Sequence, residues 1–185
     1  MNKEDSLEKK ILSSTYIYQG KTIKLRQDKV KLPDGREIVR EIVEHPGAVV
    51  ILALTDDRKV VMIRQFREPA DEVLWELPAG TVEEGEDLFR CAKRELEEET
   101  GYYPQKIKKL VSFFSTPGFC NERLTLFLAE DLEKRRKNED ADEFIKVELI
   151  KPNEALKLVK ENIIKDAKTI IGILYLASRI LADSV

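Results

Sequence analysis

At 185 residues, with 42% hydrophobic and 36% charged residues, the chain has the length and balance of one globular domain with room for a small appended arm, which excludes disorder throughout. A formal charge of -3, with no basic block in either half, excludes a polynucleotide backbone as the first partner and leaves a small anionic ligand open. Cys91 and Cys120 cannot build a disulfide framework or a zinc-type spacing, and no apolar run approaches the roughly 18 residues that cross a bilayer, so the expectation is a cytoplasmic protein with free thiols and no membrane partner.

β-Branched and aromatic residues crowd positions 12–44, and Pro33-Asp34-Gly35 supplies turn chemistry between a strand ending near Leu32 and one through Ile38 and Val43. Residues 1–45 are therefore expected to form a β-rich arm, and residues 46–185 the body. After His45-Pro46-Gly47, the apolar run from Ala48 to Leu54, the turn Thr55-Asp56-Asp57 and the run from Val60 to Ile63 predict a buried hairpin. Val73, Trp75 and Leu77 alternate with Leu74, Glu76 and Pro78 as in a strand, which stops at Pro78-Ala79-Gly80. From Asp87 to Thr100 there is no proline or glycine, and Leu88, Cys91, Ala92 and Leu96 make one apolar stripe at helical spacing, with Gly101 as the stop. β-Like runs over 107–114 and 124–128 flank a loop containing Pro117-Gly118. Residues 131–143 read as a charged loop, and 144–150 as a last strand. A helix then opens at Pro152, and a closing helix places Ile170, Ile173, Leu174, Ala177 and Leu181 on the face that covers a sheet.

Glu95, Glu98 and Glu99 share one helix face, with Glu97 beside them. Like charges at this spacing destabilise a helix by a few tenths of a kcal/mol per pair, a penalty that a hard divalent cation reverses. Four acids taken alone are more often a solvated face, and it is the wider spacing that decides. Glu86 follows Gly80 by six positions and Arg94 lies eight beyond it, and then come Glu95, apolar Leu96, Glu98, Glu99, Gly101 and apolar Tyr102.

This pattern resembles the Nudix box at every fixed position. The resemblance implies an α/β protein, a Nudix-type α/β/α sandwich with a mixed β-sheet and the N-terminal β-rich arm. It implies that Glu95 and Glu99 ligate magnesium, that Glu98 ligates it or helps activate water, and that the Ala79 carbonyl completes the site, with manganese or another divalent cation as a substitute. Arg94 would orient a box carboxylate through its planar guanidinium, and Glu86 would brace the loop. The chemistry stands on its own terms: a diphosphate repels incoming hydroxide, so a cation has to neutralise its oxygens and lower the pKa of the attacking water.

Ser115-Thr116-Pro117-Gly118-Phe119-Cys120-Asn121-Glu122, with Pro117 sixteen positions beyond Gly101, is similar to the ADP-ribose pyrophosphatase branch, as is Arg64-Gln65-Phe66-Arg67 upstream of Trp75-Glu76-Leu77-Pro78-Ala79-Gly80. Thr116 stands where serine or alanine is more usual. By this resemblance the substrate is ADP-ribose, Glu122 accepts hydrogen bonds from a ribose hydroxyl, and Arg67 meets phosphate or adenine, with a strand-end surface arginine as the bland alternative. Arg40 joins the nucleotide pocket, while Tyr16 and Tyr18 read better as sheet packing. Arms of this kind often exchange between subunits, which implies a homodimer. The catalytic base falls on Glu143, then Glu139, or returns to Glu98. The alternatives are a Nudix hydrolase of NADH, a nucleotide sugar or a diadenosine compound, and a silent nucleotide-binding sensor. His45 reads as structural, and no serine or cysteine has a paired base.

Overall fold

The computed structural model describes residues 9–135 and 144–182; Glu139, Ala141 and Glu143 lie outside the described residues. The chain divides into two compact units, one formed by the residues up to Gly47 together with Phe114–Arg123, the other by Ala48–Phe113 and the residues from Leu124 onward.

In the first unit, β1 (Lys10–Gln19), β2 (Lys24–Lys31) and β3 (Glu37–Glu44) form an antiparallel sheet in that order. The turn between β2 and β3 closes with the Gly35 N–H donating to Leu32 O at 2.9 Å, and Gly35 takes the left-handed φ of 90° that favours glycine. Asp28 on the central strand is fully buried and balanced by Arg26, whose Nε lies 2.9 Å from it. Arg26 also pairs with Glu44, to which the Tyr16 hydroxyl donates at 3.0 Å. The segment Phe114–Arg123 joins this unit through β3: the Val43 N–H donates to Phe119 O at 2.8 Å and the Asn121 N–H to Val43 O at 3.1 Å.

The second unit is built on a mixed sheet of β4 (Ala48–Leu54), β5 (Val60–Arg67), β6 (Glu72–Glu76), β7 (Ala79–Thr81), β8 (Tyr102–Phe114), β9 (Arg123–Lys134) and β10 (Lys146–Ile150). The order is β10-β5-β4-β9-β8, with β6 on β5 and β7 on β4; β4 and β9 run parallel, whereas β4 meets β5 and β7 antiparallel. All seven residues of β4 are buried, as a strand covered on both faces requires. Val50, Leu52 and Leu54 share a core with residues of α2 (Pro152–Lys160) and α3 (Ala167–Ala182). Val49, Ile51 and Ala53 pack with Cys91, Ala92 and Leu96 of α1 (Leu88–Thr100). The result is an α/β/α layering. Among the described residues, no helix is long and apolar enough to cross a membrane.

Five details depart from the expectations of periodicity. The hairpin of β4 and β5 pairs only at Ala53↔Val61 and Leu54↔Val60, after which β7 takes the place beside β4 and β5 turns to β6 and β10. β8 begins directly at Tyr102, and β9 runs to Lys134, into the stretch read as a charged loop. There Leu132, Tyr102 and Ile107 still pack against the core, and polar pairs tie the strand ends, Lys106–Asp131 at 2.6 Å and Gln105–Glu133 at 3.0 Å. Phe144 precedes β10 and is 90% exposed. In α3 the inward residues are Thr169, Gly172, Ile173 and Leu176, while Leu174 is 48% exposed. Close packing sets that rotation, because a Cβ on Gly172 would come within 2.4 Å of Leu77 Cδ1. The side chain of Leu181 lies outside the described residues.

Candidate active site

Asp87 caps α1, its carboxylate accepting from the N–H groups of Phe89 (3.0 Å) and Arg90 (3.2 Å), and Gly101 ends the helix in the left-handed conformation with its N–H on Glu97 O at 2.8 Å. Between these stops, Cys91, Ala92 and Leu96 fix the rotation of the helix on the sheet, and the Phe89 ring meets Phe127 edge-on at 5.1 Å. This rotation turns Glu95 and Glu99 toward β7. Glu99 is only 6% exposed and accepts the Ala79 N–H at 3.0 Å. Gly80 lies against the Glu95 carboxylate so closely that a Cβ there would stand 1.9 Å from Glu95 Cδ.

Arg94 organises the remaining acids. Its Nε and Nη2 grip Glu86 in a fork, both at 2.9 Å, while Nη1 reaches Glu95 at 2.8 Å and Glu98 at 2.9 Å. Glu86 in turn accepts the Glu83 N–H at 3.2 Å, closing the loop ahead of the helix. Burial pushes the Glu95 carboxyl up to about 7; Arg94 opposes the shift, and Glu98 and Glu86 add to it. Burial also raises the Cys91 thiol to about 12, so it stays protonated and is no nucleophile. Among the described residues, no three His, Cys, Asp or Glu side chains converge to metal-holding distance: Glu95 and Glu98 are turned to Arg94, and Glu99 to Ala79.

Glu86 yields a test of this loop. The hydrogen bonds from Arg94, above all, hold its carboxyl at about 2, below the ordinary 4.5. A lowered folded-state value contributes stability that is full above the unfolded value and disappears as pH falls toward 2. Glu86→Gln is expected to cost about 1–2 kcal/mol at pH 7 after solvent screening is allowed for, a fall in Tm of roughly 2–8 °C. That difference should shrink as melting is repeated from pH 4.5 down to 2; a pH-independent gap would refute the assigned charge pairing.

The other anticipated residues lie as follows. Arg67 ends β5 with its side chain 38% exposed and forks onto Glu76 through Nε at 2.7 Å and Nη2 at 2.8 Å. Arg40, Pro117 and Glu122 belong to the first unit, Arg40 facing Asp28 across β3 and β2. Glu122 Oε1 lies 3.7 Å from His45 Nδ1, and the same nitrogen accepts the Gly47 N–H at 3.0 Å, so His45 carries its neutral-form proton on Nε2 and serves the local backbone. Sequence reading missed the surroundings of Glu76. Alternation put it on the strand without assigning it a partner; it is 1% exposed and paired with both Arg67 and Lys168, the latter 92 residues away. No local signal could have shown that partner.

Fold and site together define a mixed α/β protein with a carboxylate-bearing helix set against a glycine turn. Residues 44–170 match the NUDIX domain model, and residues 9–43 match the nucleoside diphosphate sugar hydrolase N-terminal domain. An ADP-ribose pyrophosphatase of Bacillus subtilis is 45% identical over 92% of this chain and 94% of its own length. A methanol dehydrogenase activator of Bacillus methanolicus is 43% identical over 91% and 92%. The crystal structure of an ADP compounds hydrolase aligns with a TM-score of 0.84 at 18% identity, covering 95% of this chain and 96% of that one, a likeness of fold. The chain belongs to the Nudix family of hydrolases.

Proposed function

We propose that this enzyme hydrolyses the diphosphate bond of ADP-ribose to AMP and ribose 5-phosphate. The observation that carries this reading is Glu95 set against Gly80 and Glu99 on the Ala79 amide, on one helix with Glu98 inside an unbroken box; the relative named for that activity supports the substrate. Glu95, Glu98 and Glu99, with the Ala79 carbonyl, would hold a divalent cation, magnesium or manganese in its place. The donor set fits: all are hard oxygens, and burial above all, with Glu98 and Glu86 adding to it, raises the Glu95 carboxyl to about 7, a penalty on its charged form that a cation relieves. When bound, the cation neutralises phosphate oxygens and lowers the pKa of a coordinated water.

The chain's own residues do the rest. Arg94 orients the Glu95 and Glu98 carboxylates, and Arg67 takes a phosphate oxygen with the terminal nitrogen that Glu76 leaves. Arg40, Pro117 and Glu122 are assigned to the nucleoside and ribose, Glu122 accepting from a sugar hydroxyl. Water oxygen bonds to one phosphorus, the bridging P–O bond breaks, and the leaving phosphate carries away the electron pair while the water proton passes to a base. Glu143 is the first candidate for that base, ahead of Glu139, with Glu98 as the alternative on the helix. Glu143→Gln is expected to lower turnover about 10²- to 10⁴-fold with little change in cation affinity; unchanged turnover removes Glu143 from the mechanism.

We also infer a homodimer, working in the cytoplasm, with β1 in the subunit contact: all ten of its residues are exposed, Ile11, Ile17 and Tyr18 among them. Light scattering that returns a monomer mass at working concentration sinks this assignment. The match of residues 9–43 favours nucleotide sugars as the second substrate class. Initial rates with magnesium on ADP-ribose, a nucleotide sugar, NADH and a diadenosine compound decide between them, with phosphate release read through a coupled phosphatase. A slower rate on ADP-ribose than on any other member overturns the first assignment.

A further inference from the structure

The segment that delivers Ala79 to Glu99 is gripped from behind by the first turn of α3. Asp166, just before that helix, accepts the Thr169 N–H at 2.9 Å and the Thr169 hydroxyl at 2.6 Å. With its proton committed to Asp166, the Thr169 oxygen can serve only as an acceptor, and it takes the Leu77 N–H at 2.8 Å. Thr169 and Leu77 are both fully buried, so no water can replace that bond. One residue earlier, the buried Glu76 carboxylate is held by Lys168, which also lies 3.0 Å from Asp166, and by the Arg67 fork. One residue later, Pro78 O accepts the Ile51 N–H at 2.8 Å, and the next N–H, that of Ala79, donates to Glu99.

Three consecutive residues are thus anchored immediately before the one whose amide meets the buried carboxylate. A buried ion pair is a poor source of stability, since its desolvation costs about as much as its attraction returns. What it supplies here is position.

We propose that Thr169 and Lys168 are positioning residues for the cation site: by fixing Glu76 and Leu77 they set where Ala79 stands, and Ala79 sets the orientation of the Glu99 carboxylate. The inference rests on the reading of Glu99 as a cation ligand. Neither residue is adjacent to the box in sequence; their influence runs through the strand that enters it.

The test is a titration of the full-length protein with Mn2+ alone, free ion being counted by electron paramagnetic resonance, beside circular dichroism and melting. Thr169→Val keeps the shape and removes the acceptor; it is expected to weaken Mn2+ binding about tenfold, and Thr169→Ser to restore it to within about twofold of wild type. Lys168→Met, which leaves Glu76 the Arg67 fork, should weaken binding in the same direction by a smaller factor and covers the case in which Thr169→Val does not fold. A merely structural role lowers Tm and leaves Mn2+ affinity of the folded protein alone. Wild-type affinity in the folded variants, with Glu99→Gln clearly weakened, overturns the positioning role and spares the assignment of Glu99. Unaltered binding in Glu99→Gln, or none in wild type, overturns the cation-site reading itself.

Discussion

Glu99→Gln is expected to reduce kcat on ADP-ribose by about 10²- to 10³-fold while the protein still folds and melts within a few degrees of wild type. The substitution preserves shape, and the amide oxygen can still accept the Ala79 N–H that Glu99 takes at 3.0 Å. What disappears is a carboxylate oxygen donor at a buried position, 6% exposed, where a hard cation has few alternative ligands. The helix keeps its capping aspartate, apolar stripe and terminal glycine, so the loss falls on chemistry rather than stability. Steady-state kinetics with Mg2+ saturation curves check this. A variant that retains a tenth or more of wild-type kcat shows that Glu99 has no such part.

Gly80→Ala should be nearly as damaging to turnover. The added methyl carbon would lie 1.9 Å from Glu95 Cδ and 2.2 Å from both carboxylate oxygens. The atoms in the way are the end of a flexible side chain, so the fold survives by swinging Glu95 aside, and that movement takes a ligand away from its place. We expect a fall of about 10²-fold in kcat/KM with a drop in Tm of only a few degrees, since misplacement by about 1 Å is enough for a hundredfold loss. The value of the experiment lies in the split between the two readouts. A large drop in Tm with normal kcat/KM in the folded fraction would mean that Gly80 serves the turn alone.

Both predictions concern residues whose spacing is legible in the chain, and the contrast with Glu76 and Lys168 shows where legibility ends. α1 could be read because its signals are local: a capping aspartate, a 3.6-residue apolar stripe and a terminal glycine act within a few turns. The strand cores of β4 and β5 could be read for the same reason. Strand ends could not. β9 runs on through Glu130–Lys134 because β8 lies beside it and supplies Lys106 and Gln105, partners more than twenty residues distant. The outward Leu174 and inward Leu176 of α3 follow from how closely Gly172 lets that helix approach Leu77, a contact invisible in a helical wheel. The burial of Glu76 went unread for the same cause: alternation assigns a face, but only the partner helix decides whether that face is wet.

The chain by itself determined the acidic box, its helix, its glycine turn and hence the class of chemistry, because each depends on covalent spacing and on forces that act within one helical turn. Tertiary structure alone decided that Lys168 meets the buried Glu76, and that the start of α3 stands behind Ala79 and holds the Leu77 amide. Those are contacts between charges and backbone groups far apart in sequence, and their strength depends on burial, which no residue possesses until the sheet and its two helical layers have closed around it.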